Sequence, residues 1–203
     1  TLTIAGQRLA GDLTVTKSTS SLTVSIANGS LSLGTAANPL LKATSVTGTL
    51  VLLSAGMYGS ISADVAVDIP ALTLGGTFMV EVNTTAVDQP VGAPTLRPGL
   101  RIVAPGATLT VAGQSLGGNV VIERRPGAAP EVSIAVADLT LSLGGFVTVT
   151  TAKHWTGALL ITPGGVAATF SGNTSGIFTL PAGLTLSGGD VTLAINTGPA
   201  PVS

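Results

Sequence analysis

The chain has 203 residues, 8% of them charged and 3% aromatic, with a formal net charge of −1 and no cysteine. Those values exclude disulfides, thiolate metal centres and cysteine nucleophiles. They also exclude the basic, aromatic-studded surface that binding to nucleic acid requires.

Hydrophobic residues reach 45%, and 27 glycines and 12 prolines punctuate the chain. Val, Leu, Ile and Ala dominate the apolar set, which suits strands separated by glycine turns. No apolar run approaches ~18 residues, so no transmembrane helix is expected. Four Phe, one Trp and one Tyr are too few for the two aromatic girdles of a membrane β-barrel. The first residue, Thr1, lies inside an apparent strand, so the sequence reads as a piece of a longer protein.

In chain order, the first element is "LTIAGQRLAGDLTVTK" (2 to 17), strands around an Ala-Gly-Gln turn. "SLTVSIA" follows, with Leu22, Val24 and Ile26 alternating with Ser21, Thr23 and Ser25. Strict alternation marks a strand with one apolar face and one wet face. "TGTLVLLSAGMYGSIS" (47 to 62) and "IPALTLGGTFMVEVNTT" (69 to 85) continue the pattern. Asp64 and Asp68 fall on one face of "ADVAVD". Residues 86 to 99, "AVDQPVGAPTLRPG", hold three prolines and no strand pattern, and read as a linker.

The chain then repeats itself. "LTVAGQSLGGNVVIER" (109 to 124) aligns with 2 to 17 at an offset of 107. "DLTLSLG" matches "NGSLSLG" at 110, "TGALLITPGGVAATFS" matches 47 to 62 at 109, and 180 to 198 match 69 to 85 with two small insertions. Four matches in one order indicate a duplication. The domains expected are a first copy at 1–85, a linker at 86–99, a second copy at 100–198 and the start of another linker at 199–203. In "EVSIAVADLTLSLG" the alternation runs through Val132, Ile134 and Val136, and resumes at Leu139, Leu141 and Leu143. Glycine ends most of these units, and about seven or eight strands per copy are expected. No segment carries a helical period. The fold class is all-β: tandem antiparallel sandwiches or flattened β-rolls built from hairpins with glycine turns.

Residues 113 to 117 spell Gly-Gln-Ser-Leu-Gly, the pattern of a serine-hydrolase nucleophile elbow, and Asp138 and His154 follow in the family's order. The duplication argues against catalysis. Ser115 aligns with Arg8, Gly117 with Ala10 and Asp138 with Asn28, while His154 finds no partner in the first copy. An elbow also needs a helix after it, and "GNVVIERR" reads as a strand. No catalytic, cofactor or metal residue is assigned. "SGGD" (187 to 190) is only a faint echo of a calcium nonapeptide. The candidate ligand or partner contacts are His154 and Trp155, in a loop between strands, and Arg124 and Arg125 in "ERRPGAAPE" (123 to 131), a hairpin tip longer than its counterpart.

The tandem pattern "LTVAGQSLGG…VADLTLSLGG…GALLITPGGVAATFSG" resembles the β-repeats of very large bacterial secreted or surface proteins of adhesin type. The resemblance implies a non-enzymatic structural module of an extracellular fibre, a stiff spacer or assembly unit. It implies no cofactor. The partners it implies are neighbouring repeats and like chains side by side, with neither nucleic acid nor a membrane span. The alternative is a carbohydrate- or ligand-binding module using surface loops.

Overall fold

A computed structural model describes residues 2–4, 7–34, 39–69, 72–90, 95–111, 113–126, 131–143, 147–150, 152, 154–177 and 187–197. The described residues form thirteen strands: β1 (Leu2–Ile4), β2 (Gln7–Lys17), β3 (Ser21–Gly34), β4 (Pro39–Leu53), β5 (Gly56–Ile69), β6 (Leu72–Asn83), β7 (Gly99–Val111), β8 (Gln114–Arg125), β9 (Glu131–Leu143), β10 (Val147–Val149), β11 (Thr156–Thr162), β12 (Gly165–Asn173) and β13 (Asp190–Asn196). All are antiparallel to their neighbours and join one sheet in the order β1 to β9, then β11, β12 and β13. β10 and β11 both pair with β9 and occupy one strand position. The protein is thus all-β, as its alternation requires, and its hairpins form a meander. Among the described residues no helix is long and apolar enough to cross a membrane.

The register explains the alternation. One row of paired residues crosses eleven strands: Leu13, Ile26, Gly48, Ile61, Val80, Ile102, Ile122, Ile134, Leu159, Ala168 and Ile195. Directly opposed β-branched and aliphatic side chains stabilise such a ladder. The row one residue along lies on the other face and begins Thr14, Ser25, Thr49 and Ser60. A second apolar row, Leu41, Val67, Leu74, Leu109, Leu116 and Leu141, crosses β4 to β9 nearer the other end of the strands.

Between the two apolar rows the register slips on strand after strand. The shifts fall between Ala10 and Asp12, Ile26 and Gly29, Thr44 and Thr47, Gly75 and Met79, Ala104 and Ala107, and Gly117 and Asn119. Extra residues in one strand bend it, and bulges aligned across neighbours crease the sheet. Left-handed backbone marks the crease at Asn28, Ser45, Gly106, Asp138 and His154. Glycines expected to end strands, such as Gly11, Gly48, Gly76 and Gly118, lie inside them instead. There they serve bulges and close strand approach, which is why the described strands run longer than expected.

Burial is sparse: Ala43, Val46 and Ala104 are buried at the crease, Leu96 with Glu81, Asn83 and Thr85 around the loop after β6, and Val149 with Ile177 at β10. The accessible surface is 12,425 Å², against about 8,600 Å² for a compact monomer of this mass. Leu13 and Val15 near one edge are 60% and 62% exposed, and Leu193 at the other is 55% exposed. The sheet keeps one apolar face largely open.

Candidate functional site

The richest chemistry lies on the two faces of β6, β7 and β8. On one face, cross-strand pairing sets Glu81, Arg101 and Glu123 in a line. Arg101 donates to Glu81 at 2.8 Å and reaches Glu123 at 3.1 Å, and Arg125 reaches Glu123 at 3.2 Å. Each carboxylate is thus held by a guanidinium, and the four charges cancel. Beside this ladder the loop after β6 folds back. The main-chain groups of Gln89 and Leu96 exchange two hydrogen bonds of 2.9 Å.

Asn83 holds that loop. Its amide donates to the carbonyls of Val87 and Leu96, and its Oδ1 accepts from the Thr85 N–H and hydroxyl. Its exposure is 2%, so every polar atom has to be satisfied within the protein. Between loop and ladder lies a cavity of about 270 Å³ bordered by Glu81, Arg97, Pro98, Arg101, Glu123 and both Arg124 and Arg125. Gly99, the last residue of the expected linker, already belongs to β7, which pairs with β6 along its length.

On the opposite face, in the angle of the crease, is a cleft of about 250 Å³. Leu74, Leu109 and Leu116 line it from one side of the crease; Ile102, Val120 and Ile122 line it from the other. No charged side chain lines it. The alternation of β8 puts Arg124, two residues beyond Ile122, on this face. Arg124 is exposed. Unlike Arg101 and Arg125, it makes no ion pair or side-chain hydrogen bond among the described residues.

The outer side of the crease carries a polar seam. Asn28 donates to Asp12 at 2.9 Å, Thr77 to Asp64 at 2.7 Å, Asn119 to Asp138 at 2.8 Å and Asn173 to Asp190 at 2.8 Å. The Asp64 carboxyl sits below its ordinary value, because Thr77 first and Ser45 second donate to its charged form. No cluster of three metal-ligating side chains occurs among the described residues.

The elbow pattern resolves as a hairpin. Gly113 takes φ 80° in the two-residue turn between Val111 and Gln114, and β8 follows it. Ser115 pairs with Ser142, whereas Asp138 binds Asn119, four residues further along β8. Four residues of strand separate the two by about 13 Å, beyond hydrogen-bond reach. His154 borders the outer crease with Asp138. Its left-handed backbone, φ 50°, is matched by φ 54° at Ser45, the residue that the offset of 109 sets opposite it. Ser45 and His154 thus share a backbone angle and not a side chain.

Trp155 is committed to the ladder. Its indole N–H donates to the Asn173 carbonyl at 2.9 Å, and its ring lies over Gly172, where any Cβ would collide with it. No sequence motif marks the polar loop over the 270 Å³ cavity or the open cleft. The lone signal for the cleft was an arginine in the midst of an apolar alternation.

Comparison with protein-family models, curated proteins and solved structures finds no match to this chain.

Proposed function

We propose that the protein is a non-enzymatic structural module of an extracellular bacterial fibre or adhesin-like surface protein, working as a spacer and assembly unit. The observation that carries this reading is the direct pairing of β6 with β7. The two stretches that match in sequence share one uninterrupted sheet, so a further copy adds strands to the same ladder. Six antiparallel strands at ~4.8 Å extend such a sheet by about 29 Å. The low charge and absent cysteine suit an exported, repetitive chain.

Small-angle scattering tests it, comparing this chain with chains carrying one and two additional copies of residues 100–198. The twelve strand positions span about 53 Å, and a compact chain of this length has a radius of gyration near 17 Å. The reading expects a larger radius and a maximum dimension that grows by a constant step per copy. A compact value that rises only with chain volume overturns it.

A further inference from the structure

We propose that the creased apolar cleft binds one free single-chain anionic amphiphile, a fatty-acid-like carboxylate, with Arg124 at the cleft mouth receiving the headgroup. The site rests on the β6–β9 region alone and does not depend on the spacer reading.

Three observations join to give it. The cleft is lined by aliphatic side chains from both sides of the crease, so its occupant is apolar along its length; burial of apolar surface drives entry. The register row that runs Val24, Leu50, Gly59, Val82, Leu100, Arg124, Val132 and Ile161 carries a single cation among apolar residues and glycine. That cation lacks an anionic partner among the described residues, although Arg101 and Arg125 flanking it in space have theirs.

The geometry sets the orientation. Arg124 stands about 6.6 Å along the strand from Ile122, and it also borders the polar cavity at the end of β8. Strand parity sets it on the face of the cleft beyond Ile122, and it is exposed. A carboxylate there meets a planar fork of donors. Its chain runs back over Ile122 and Val120 and into the crease. A cation is repelled at Arg124, and a neutral headgroup gains a hydrogen bond there without the charge pairing.

Isothermal titration of the whole chain with monomeric dodecanoate, well below its micellar concentration, tests the proposal, with dodecanol and dodecyltrimethylammonium as companions. Saturable binding of one dodecanoate per chain is expected. Arg124→Glu should weaken dodecanoate roughly tenfold through loss of the pair and added repulsion, leaving dodecanol within about twofold. Ala107→Leu, which narrows the crease, should weaken dodecanoate and dodecanol alike. Circular dichroism of both variants checks that the strands persist, and Arg124→Gln provides a milder substitute if the reversal does not fold. No saturable uptake of dodecanoate, equal affinity for the trimethylammonium analogue, or equal losses for acid and alcohol on changing Arg124 overturns the proposal. So does sedimentation of the chain with anionic phospholipid vesicles in the absence of monomer binding.

Discussion

Asn119 donates its side-chain amide to Asp138 at 2.8 Å, across β8 and β9. At the positions that the repeat offsets set opposite them, Asn28 donates to Asp12 at 2.9 Å. The two bonds are alike, with donor and acceptor on exchanged strands. The same exchange recurs further along the seam, where Thr77 gives to Asp64 and Asn173 gives to Asp190. A register position that needs one donor and one acceptor is indifferent to which strand supplies each.

The exchange predicts a rescue. Asn119→Asp alone faces two carboxylates across the bulge and should cost about 1 kcal/mol in urea unfolding. Asp138→Asn alone should cost somewhat less, because asparagine tolerates the left-handed backbone at 138. The double exchange should return to within about 0.5 kcal/mol of the parent. A double variant as weak as the sum of the singles speaks against a paired seam.

Asn83 should be the most sensitive polar residue of the first half. Asn83→Ala strips partners from the Thr85 N–H and hydroxyl and from two carbonyls, in a place water does not reach. A loss of about 3 kcal/mol is expected. Hydrogen exchange localises it: the amides of Gln89 and Leu96 should lose protection before those of β7.

Acid should loosen the seam at Asp64. The folded carboxyl lies below its ordinary value of 3.8, so its contribution is complete above that value and is lost as pH falls through the lower folded value. Asp64→Asn should therefore flatten the decline in denaturant midpoint between about pH 5 and about pH 2. An unchanged acid limb removes Asp64 from the account. The group is exposed, so the effect is a change in slope, small against the whole stability.

Gly172→Val should displace the indole of Trp155 and cost about 2 kcal/mol through overpacking. As the chain's single tryptophan, Trp155 reports on itself. Its emission should shift to the red as the ring leaves Gly172 for water, with the strand signal in circular dichroism retained.

Much of the fold was legible as alternation. The pause between Val136 and Leu139 marks in the sequence the left-handed turn at Asp138. The other bulges were concealed by their glycines, which read as strand ends because a glycine's freedom looks the same in a turn and in a bulge. Pairing of β6 with β7 across the proline segment could not be read, since a loop that folds back leaves no period. Arg124 and Arg125 looked alike as neighbours in one tip. Strand parity sends them to opposite faces, Arg125 to the Glu123 carboxylate and Arg124 to the face that carries the cleft. The left-handed angles at Ser45 and His154 were not legible, because such an angle is a property of the backbone and these two side chains share no chemistry.

The aligned bulges also govern how such a chain changes over generations. Loss of one residue at a bulge reverses the parity of half a strand and turns its leucines to the wet side. Gain or loss of a whole hairpin leaves every neighbour in phase. Lineages of this molecule should accordingly vary by pairs of strands and seldom by single residues within one, so that length is inherited in units of the hairpin.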